Sequence, residues 1–548
     1  MLKKSLYFLL FQLIFSVSVF AQIASYDEVL EGDINSDMTL SSSKKYLLRG
    51  FVNVNPPATL TIEAGTILYG EKSSKGTLII NRGAKINAQG TKARPIIFTS
   101  QQPVGQKASG DWGGLIVVGN ASLNVPGGTA TIEGGTGTIM GGGANPNDDD
   151  NSGIIKYVRI EFPGIAFLPD NEINGLTIGG VGRQTEIDYV QVSHSGDDAF
   201  EWFGGTVNAK HLISFHPVDD NFDTDFGFNG KVQFGVSFTN PNVADISGSN
   251  GFESDNDGSG TLNTPRTQPL FSNMTLVGPL VTPDFTAYSP NYKRGAHLRR
   301  STLTSIYNSI ITGYPTGLFI QSQGSADGAT GDNLQIRNTI FAGSQSGKLL
   351  TSDVNGFDVS SWYNNSGYGN RTYTSSADLG LADAFNLTAP NAVPSGNSPA
   401  ASGASFTNSR LLDGFFTATT YVGAFDPNGE QWDASWTNYD PQNTDYNLIS
   451  SIEETNLNNL PASFELGQNY PNPFNPSTKI RFSIAESRNV SIVVYNLLGQ
   501  KVEELMNEFK TAGTYELNWN AKGLASGIYL YKIQAGDFVS IKKMSLLK

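Results

Sequence analysis

A repeated acidic motif is the part of this sequence best equipped for chemistry. One copy reads HSGDDAFE from His194 to Glu201, and a second reads HPVDDNFD from His216 to Asp223, 22 residues later. The histidine, both aspartates, the phenylalanine and the final acid recur in register. Carboxylates at this density can bind a hard cation, or act as an acid and base pair on a glycosidic bond.

Strand alternation predicts which of these acids share a surface. If Phe200 and Phe222 point inward, the acids of opposite parity point outward. A further stretch has acids at alternate positions before Gly258, a spacing with which short loops wrap calcium. We expect calcium and no organic cofactor, because calcium suits oxygen-only ligands. The predicted ligands are Asp197, Glu201, Asp219, Asp223, Asp225, Glu253, Asp255 and Asp257.

Two other roles for the same motifs stay open at this point. In the first, stacked Asp and Asn side chains hold the turns of a repeating fold and face water. In the second, the acids are catalytic. The catalytic candidates are Asp197, Asp198, Asp219 and Asp220. His194 and His216 repeat with the scaffold, so we interpret them as ladder residues rather than as bases.

The segment before the acidic motifs predicts the scaffold, because it repeats at a short period. Short β-branched strands begin at Thr59, Thr77, Pro95 and Gly114, spaced by 18, 18 and 19 residues. A unit of this length has no room for a helix and cannot bury its apolar face alone, so the copies must stack. A β-sandwich would also show many short strands. The near-constant spacing, and an Asn that recurs before later strands, favour an all-β, right-handed parallel β-helix.

The N-terminus has the composition of a secretory signal. Lys3 and Lys4 precede an apolar run over residues 6–20 and the small residue Ala21, which predicts cleavage after that alanine.

No later stretch is apolar enough for a transmembrane helix. The absence of Cys excludes disulfides and thiolate metal sites. Without the two lysines of the signal the chain has 34 basic and 50 acidic residues, which disfavours nucleic-acid binding.

These patterns divide the chain into four parts. We predict a signal peptide at residues 1–21, a β-helix body at 22–345, an irregular capping region and linker at 346–460, and a C-terminal domain at 463–548. The last part has alternating strands joined by Gly-containing turns, which suit a small Ig-like antiparallel β-sandwich.

The C-terminal domain also carries recognisable motifs. They are YPNPF at 470–474, VYNLLGQKV at 494–502, LASGIYLYK at 524–532 and KKMSLLK at 542–548. In this order they closely resemble the type A C-terminal sorting domain of type IX secretion cargo from Gram-negative bacteria of the Bacteroidota and relatives. The resemblance implies passage through the type IX translocon and removal of the domain by a sortase-like peptidase. The body would then be extracellular or on the outer cell surface.

The body resembles secreted right-handed parallel β-helix proteins of the same bacteria. This fold includes pectate lyases, in which calcium and an Arg base act on uronates, and polygalacturonases, in which Asp residues act as acid and base. Gly196-Asp197-Asp198 is similar to the Gly-Asp-Asp element of polygalacturonases, but the chain lacks their Gly-His-Gly and Arg-Ile-Lys elements. The cations available to a lyase are Lys293, Arg294, Arg299 and Arg300.

The sequence therefore predicts a secreted cell-surface or extracellular protein with a calcium-stabilised β-helix that acts as a binding or adhesion module. The expected partners are the translocon, the peptidase, and a polysaccharide or surface ligand. The alternative is a polysaccharide lyase or glycoside hydrolase that uses the acidic motifs. Whether the protein is an enzyme stays open, with binding favoured.

Overall fold

A computed structural model describes residues 23–166, 172–447, 464–485, 488–510, 513–536 and 538–547. The predicted signal peptide at 1–21 lies outside the described residues. The chain forms two compact units, Met1–Ser451 and Ile452–Lys548. Among the residues described, none of the helices has the length and apolar character needed to cross a membrane.

The first unit is built from short strands and a few helices. Its strands are β1 (Glu28–Ile34), β2 (Met38–Leu40), β3 (Lys45–Val54), β4 (Thr59–Ile62), β5 (Ile67–Gly70), β6 (Thr77–Ile80), β7 (Lys85–Gln89), β8 (Ile96–Ser100), β9 (Leu115–Val118), β10 (Ala130–Thr131), β11 (Ile139–Met140), β12 (Gly153–Glu161), β13 (Leu176–Gly179), β14 (Glu186–Ser193), β15 (Phe200–Phe203), β16 (Asn208–Phe215), β17 (Phe222–Asp225), β18 (Lys231–Phe238), β19 (Phe252–Ser254), β20 (Leu270–Val277), β21 (Arg294–Leu298), β22 (Ser305–Tyr307), β23 (Ile310–Thr312), β24 (Thr316–Ile320), β25 (Ile336–Arg337), β26 (Ile340–Ala342), β27 (Leu350–Ser352), β28 (Arg371–Tyr373), β29 (Leu381–Asp383) and β30 (Asn391–Pro394). Its α-helices are α1 (Gln323–Thr330) and α2 (Val359–Tyr363), and its 3-10 helices are Ser366–Tyr368, Ser376–Leu379, Pro399–Ala401 and Ser409–Leu411.

Parallel pairing between successive coils joins 26 of these strands into one sheet, which winds into a helix with three faces. The face that carries the acidic motifs, which we call the acidic face, includes β6, β9, β13, β15, β17, β19, β21, β24 and β27. The predicted all-β fold with a parallel β-helix body is thus confirmed.

Alternating side chains explain why the coils stack. Inward residues of every face join one buried apolar cluster that extends from Leu30 to Tyr363. The predicted turns close the first coils: Gly65 after β4 and Gly83 after β6 have φ of 89° and 82°, a left-handed conformation that favours glycine. No single coil could bury its apolar side chains, so each coil depends on its neighbours.

A column of left-handed residues forms the corner between two faces. The residues at this corner are Tyr157, Tyr189, His211, Phe234, Asn273, Asn308 and Asn338, all with positive φ. The recurrent Asn noted in the sequence occupies the later part of this column. In the earlier part the rings stack on one another, with centroids 4.4 Å apart for Tyr157 and Tyr189 and 4.1 Å for Tyr189 and His211.

Only part of the predicted capping region at 346–460 lies on the last coils. Buried Tyr363 of α2 donates to the carbonyls of Thr339 and Arg371, at 2.7 and 3.1 Å, and so covers the end of the helix. Residues 405–447, called the strap, instead run back along the outside of the body. Their backbone N–H and side-chain contacts are, in order, Ser405 with Asn308, Thr417 with Gln233, Asn438 with Gln191 and Asn447 with Ser25.

The strap runs back because the outside of the body is locally apolar. Ile213, Phe215, Val236 and Phe238 point outward from β16 and β18 and are buried under strap residues that include Trp436. The strap is also anchored by polar contacts, among them a hydrogen bond of 2.6 Å from the Tyr446 hydroxyl to buried Glu161. Covering these side chains removes a patch that would otherwise promote aggregation.

Replacing Trp436 with alanine is expected to lower the free energy of unfolding of the body by about 3–5 kcal/mol, the usual cost of truncating a buried Trp. Its side chain is 0% exposed and meets Tyr157 and Tyr189 edge-on. Thermal and urea unfolding of the full chain measure the effect. The nearby exposed Gln431 provides the control, since its replacement by alanine should change stability by no more than about 0.5 kcal/mol. A Trp436 variant as stable as that control would mean that packing of the strap at this residue does not stabilise the body.

The second unit is the predicted antiparallel domain. Its strands are β31 (Glu465–Leu466), β32 (Ser477–Ile484), β33 (Arg488–Asn496), β34 (Lys501–Lys510), β35 (Gly513–Asn520), β36 (Gly527–Ala535) and β37 (Phe538–Leu546). They form a three-stranded and a four-stranded antiparallel sheet around one core that includes Trp519 and Tyr531. This part of the fold prediction is confirmed as well.

Candidate functional site

The acidic face places the two sequence motifs one above the other, as strand alternation predicted. Phe200 of β15 pairs with Phe222 of β17, which pairs with Phe252 of β19, and all three rings point into the core. The next residue of each strand lies on the opposite side of the sheet, which aligns Glu201, Asp223 and Glu253 in an outward column. The column brings carboxylates from three coils to one surface.

A second column lies in the turn before each of these strands. The Oδ1 atom of Asp198 accepts a hydrogen bond of 2.7 Å from the backbone N–H of Asp220. The Oδ1 atom of Asp220 in turn accepts one from the backbone N–H of Asn250. The side chains of Asp198 and Asp220 are therefore fixed by the following coil. These two residues, catalytic candidates in the sequence, serve at least as turn ladder residues.

The two columns, together with Asp197 and Asp219, form what we call the acidic array. It contains three overlapping groups of carboxylates, and within each group the nearest oxygen atoms all lie within 4.8 Å of one another. The groups are Asp197, Asp198 and Asp219; Asp198, Glu201 and Asp223; and Asp220, Asp223 and Glu253. Oxygen atoms at this separation can share one calcium ion, whose bonds to oxygen are about 2.3–2.6 Å long.

The electrostatics of the array are unfavourable without a cation. Burial, and then the charges of neighbouring carboxylates, raise the pKa of Asp198, Glu201, Asp220 and Asp223 well above the usual range. The same causes raise the pKa of Asp197 and that of Asp219, the latter to about 7. Ionising all of these groups at neutral pH would require a compensating positive charge.

One end of the array already has such charges. Glu253 forms an ion pair with Arg299, and Nδ1 of His297 lies 3.2 Å from its carboxylate. Burial acts to raise the pKa of Glu253, but the hydrogen bond to His297 and the charge of Arg299 outweigh it and lower this pKa. In the described part of the chain, Asp198, Glu201 and Asp223 have no ion pair with a basic side chain. Asp197, Asp219 and Asp220 have none either, so among the described residues Glu253 is the only carboxylate of the three groups with a basic partner.

The other predicted ligands have different partners. Asp255 lies between two guanidinium groups, 2.8 Å from Nε of Arg299 and 2.7 Å from Nη1 of Arg300. Asp257 accepts the backbone N–H groups of Ser259 and Thr261 and so closes a turn. In the stretch before Gly258 that resembled a calcium loop, Asp255 thus forms ion pairs and Asp257 closes a turn.

Asp225 lies outside the three groups too. It accepts the N–H of Phe226 at 2.6 Å, and burial, followed by the charge of Asp255, raises its pKa to about 7. The structure brings together five of the eight predicted ligands and joins to them the two remaining catalytic candidates, Asp198 and Asp220.

Sequence reasoning missed two amide side chains at the ends of the array. Buried Asn174 donates from Nδ2 to Glu201 and, at 2.5 Å, to Glu133, while buried Asn250 donates to Glu253 at 2.8 Å. The Oδ1 atoms of both amides are buried without a hydrogen-bond partner among the described residues. A signal existed, because Asp198, Asp220 and Asn250 each stand three residues before a member of the outward column. Asn174 likewise stands three residues before Thr177, which pairs with Glu201.

Glu133 was also missed, and nothing in the periodic pattern could have revealed it. It lies between β10 and β11, in an insertion that packs Ile132 and Met140 against the outer side of the acidic face. Burial is the main cause that raises the pKa of Glu133. The insertion therefore adds an eighth carboxylate beside Glu201.

The two histidines of the motifs belong to the scaffold. His194 and His216 have left-handed backbone conformations, and their rings lie 5.3 Å apart at a corner of the helix. The ring of His194 also stacks on that of Phe162 at 5.1 Å. Burial lowers the pKa of His194 to about 4 and that of His216 to about 3. Both are ladder residues, as the sequence interpretation expected, and their lowered pKa values favour the neutral imidazole at physiological pH.

Two known families match the chain. Residues 32–380 match the pectate-lyase like beta helix domain, and residues 468–546 match the secretion system C-terminal sorting domain. No curated protein matches the chain. The second match confirms the resemblance to type IX cargo and implies export to the cell surface or extracellular space through the type IX machinery. The first match covers more than half of the chain, which therefore belongs to the pectate-lyase like beta helix family and ends in a type IX sorting domain.

Proposed function

We propose that the exported β-helix is a calcium-stabilised binding module and that calcium occupies the acidic array. The observation that carries this proposal is the group formed by Asp198, Glu201 and Asp223. Their oxygen atoms converge within 4.8 Å, and no basic side chain of the described residues pairs with them. A divalent cation would relieve the repulsion that otherwise keeps these groups protonated.

The composition of the site favours calcium over other metals. The side-chain atoms that converge in the site are carboxylate oxygens. The unpartnered amide oxygens of Asn174 and Asn250 lie at its two ends. Calcium accepts six to eight such oxygen ligands in irregular geometry, whereas zinc prefers nitrogen and sulfur. The buried imidazole of His297, which contacts the array, already forms hydrogen bonds with Glu253 and Gln321.

Calcium binding can be measured directly by titration calorimetry on the full chain after chelator treatment. We expect saturable binding, and we expect Glu201→Gln to weaken it by at least about tenfold, because the substitution replaces an anionic ligand with a neutral one. Asp257→Asn is the matched control, since its carboxylate closes a turn. An absence of calcium binding to the parent chain would refute the proposed cation site.

A polysaccharide lyase or glycoside hydrolase is the second candidate. It is favoured by the pectate-lyase like family and by Arg299 and Arg300, which line a cavity of about 530 Å³ next to the array. Lys293 and Arg294, the other predicted cations, do not line it: Lys293 donates to the carbonyl of Pro290, and Arg294 lies over the ring of Phe319.

Turnover separates the two candidates. We expect no release of reducing ends from neutral or acidic polysaccharides by the full chain, with calcium or with chelator. The Asp197→Asn, Asp219→Asn double variant serves as the comparison. Release of reducing ends that this variant abolishes would establish the enzyme and place its chemistry on the paired aspartates.

The sorting domain completes the proposal. Its partners would be the type IX translocon, which recognises it, and a sortase-like peptidase, which removes it. The body would then act outside the cell on a polysaccharide or surface ligand.

A further inference from the structure

A polar cavity of about 530 Å³ opens beside the acidic array. It is formed where β21, β24 and β27 end, before α1 and the turn after β27. Its lining residues are Arg299, Arg300, Gln321, Ser322, Gln323, Asp353, Val354 and Asn355. Arg299 belongs both to this lining and to the ion pairs of Glu253 and Asp255, so the cavity and the array share one wall.

The charges around the cavity are already balanced. Arg299 pairs with Glu253 and Asp255, and Arg300 pairs with Asp255. Asp353 adds a further carboxylate to the lining. An anionic ligand would find no unneutralised guanidinium here and would meet the charge of Asp353, so the cavity disfavours a carboxylate or sulfate.

What the cavity offers instead is a mixture of uncharged hydrogen-bond donors and acceptors. Gln321, Gln323 and Asn355 supply amide groups, and Ser322 supplies a hydroxyl. The lining has one apolar side chain, Val354, whereas sites for most organic ligands are mainly apolar. This composition matches a ligand with many hydroxyl groups and little apolar surface.

Two of these polar groups are also held in place before any ligand arrives. Gln321 lies 2.8 Å from Nε2 of His297, and the Ser322 hydroxyl accepts the N–H of Ser301 at 3.0 Å. Arg300, Ser301 and Ser322 have φ of 44°, 67° and 75°, which are strained values for residues other than glycine. Strain of this kind concentrates at binding sites, and a fixed geometry reduces the entropy lost on binding.

We propose that this cavity is a subsite for an uncharged, hydroxyl-rich sugar unit of a polysaccharide. The inference rests on the proposed binding function and specifies its ligand class. The adjoining array would hold calcium, while the cavity would recognise the hydroxyl groups of a neutral sugar. The hydrogen bonds would come from the amides of Gln323 and Asn355 and from Arg300, whose side chain is 43% exposed.

Binding of defined oligosaccharides to the full chain tests this inference. The probes are neutral β-1,4-linked gluco-, xylo- and manno-oligosaccharides, with oligogalacturonates as the acidic comparison, followed by titration calorimetry in calcium and in chelator. We expect at least one neutral series to bind, and we expect the Gln323→Ala, Asn355→Ala double variant to weaken it by about tenfold, through the loss of two hydrogen bonds. Gln431→Ala, on the exposed part of the strap, should leave binding unchanged.

Each outcome decides between the two proposals. Neutral-sugar binding that the double variant weakens supports the subsite, even if calcium fails to bind and the cation site is refuted. Normal calcium binding together with binding of oligogalacturonates alone, or of no probe, overturns the subsite and leaves the cation site intact. Neutral-sugar binding that the double variant does not change would also overturn it, because the sugar would then lie elsewhere.

Discussion

Asp223→Asn should abolish the calcium-dependent rise in the melting temperature of the body and, in chelator, should raise the melting temperature above that of the parent chain. Asp223 belongs to two of the three carboxylate groups, so its loss removes a ligand from both. Without calcium the same substitution removes one of several buried, mutually repelling acids. At calcium 100-fold above its dissociation constant, the lost stabilisation would be about 2.7 kcal/mol.

The two opposite effects make this test specific. Simple damage to the fold would lower the melting temperature in both conditions. Asp225→Asn is the matched control, because Asp225 is in the same strand but outside the three groups. Its variant should keep the full calcium response. Equal calcium responses in the parent chain and the Asp223 variant would rule out calcium binding at this residue.

The second large effect is on pH dependence. In chelator, Asp225 should destabilise the body increasingly between about pH 4 and pH 7. Its pKa is raised from 3.8 to about 7 by burial and then by the charge of Asp255, so the folded state binds a proton that the unfolded state has released. The contribution of the protonated Asp225 carboxyl to the stability of the body is therefore fully present below pH 4. This contribution is lost as the pH rises through 7. The shift corresponds to about 4 kcal/mol.

The difference between the parent chain and Asp225→Asn isolates this effect. His194 and His216 titrate in the opposite direction, since their lowered pKa values make stability rise over part of the same range. Both proteins contain these histidines, so their contribution cancels. Melting temperatures in chelator should diverge from pH 4 to pH 7, with the variant the more stable protein at pH 7. A constant difference would show that the carboxyl of Asp225 titrates normally.

The sequence alone was enough to predict which residues of the acidic face lie in one column, provided that the repeat was regular. Phe200 and Phe222 are one 22-residue coil apart, so register and parity could be derived directly. Phe252 follows Phe222 by 30 residues, because a longer loop intervenes. That difference concealed the equivalence of Asn250 with Asp198 and Asp220, although all three occupy the same turn.

Other features depend on contacts that have no period. Glu133 reaches the array from an insertion, and its position follows from apolar packing of Ile132 and Met140. For the strap the sequence predicts only an irregular capping region, because the short period of the coils is lost there. Its path is set by the apolar outer surface around Phe215 and Phe238, which alternation alone would have marked as solvent-exposed.

The strap also determines where mechanical force enters the body. Asn447 accepts the N–H of Ser25 at 2.9 Å, and Nζ of Lys45 donates to the carbonyls of Tyr446 and Asn447 at 2.6 and 3.1 Å. The last described residues of the first unit thus lie beside the first coil. A pull applied at Asn447 and directed away from the body would load these few contacts first and would then detach the strap one contact after another. The stacked coils, and the acidic face they carry, stay out of the load path until the strap has detached.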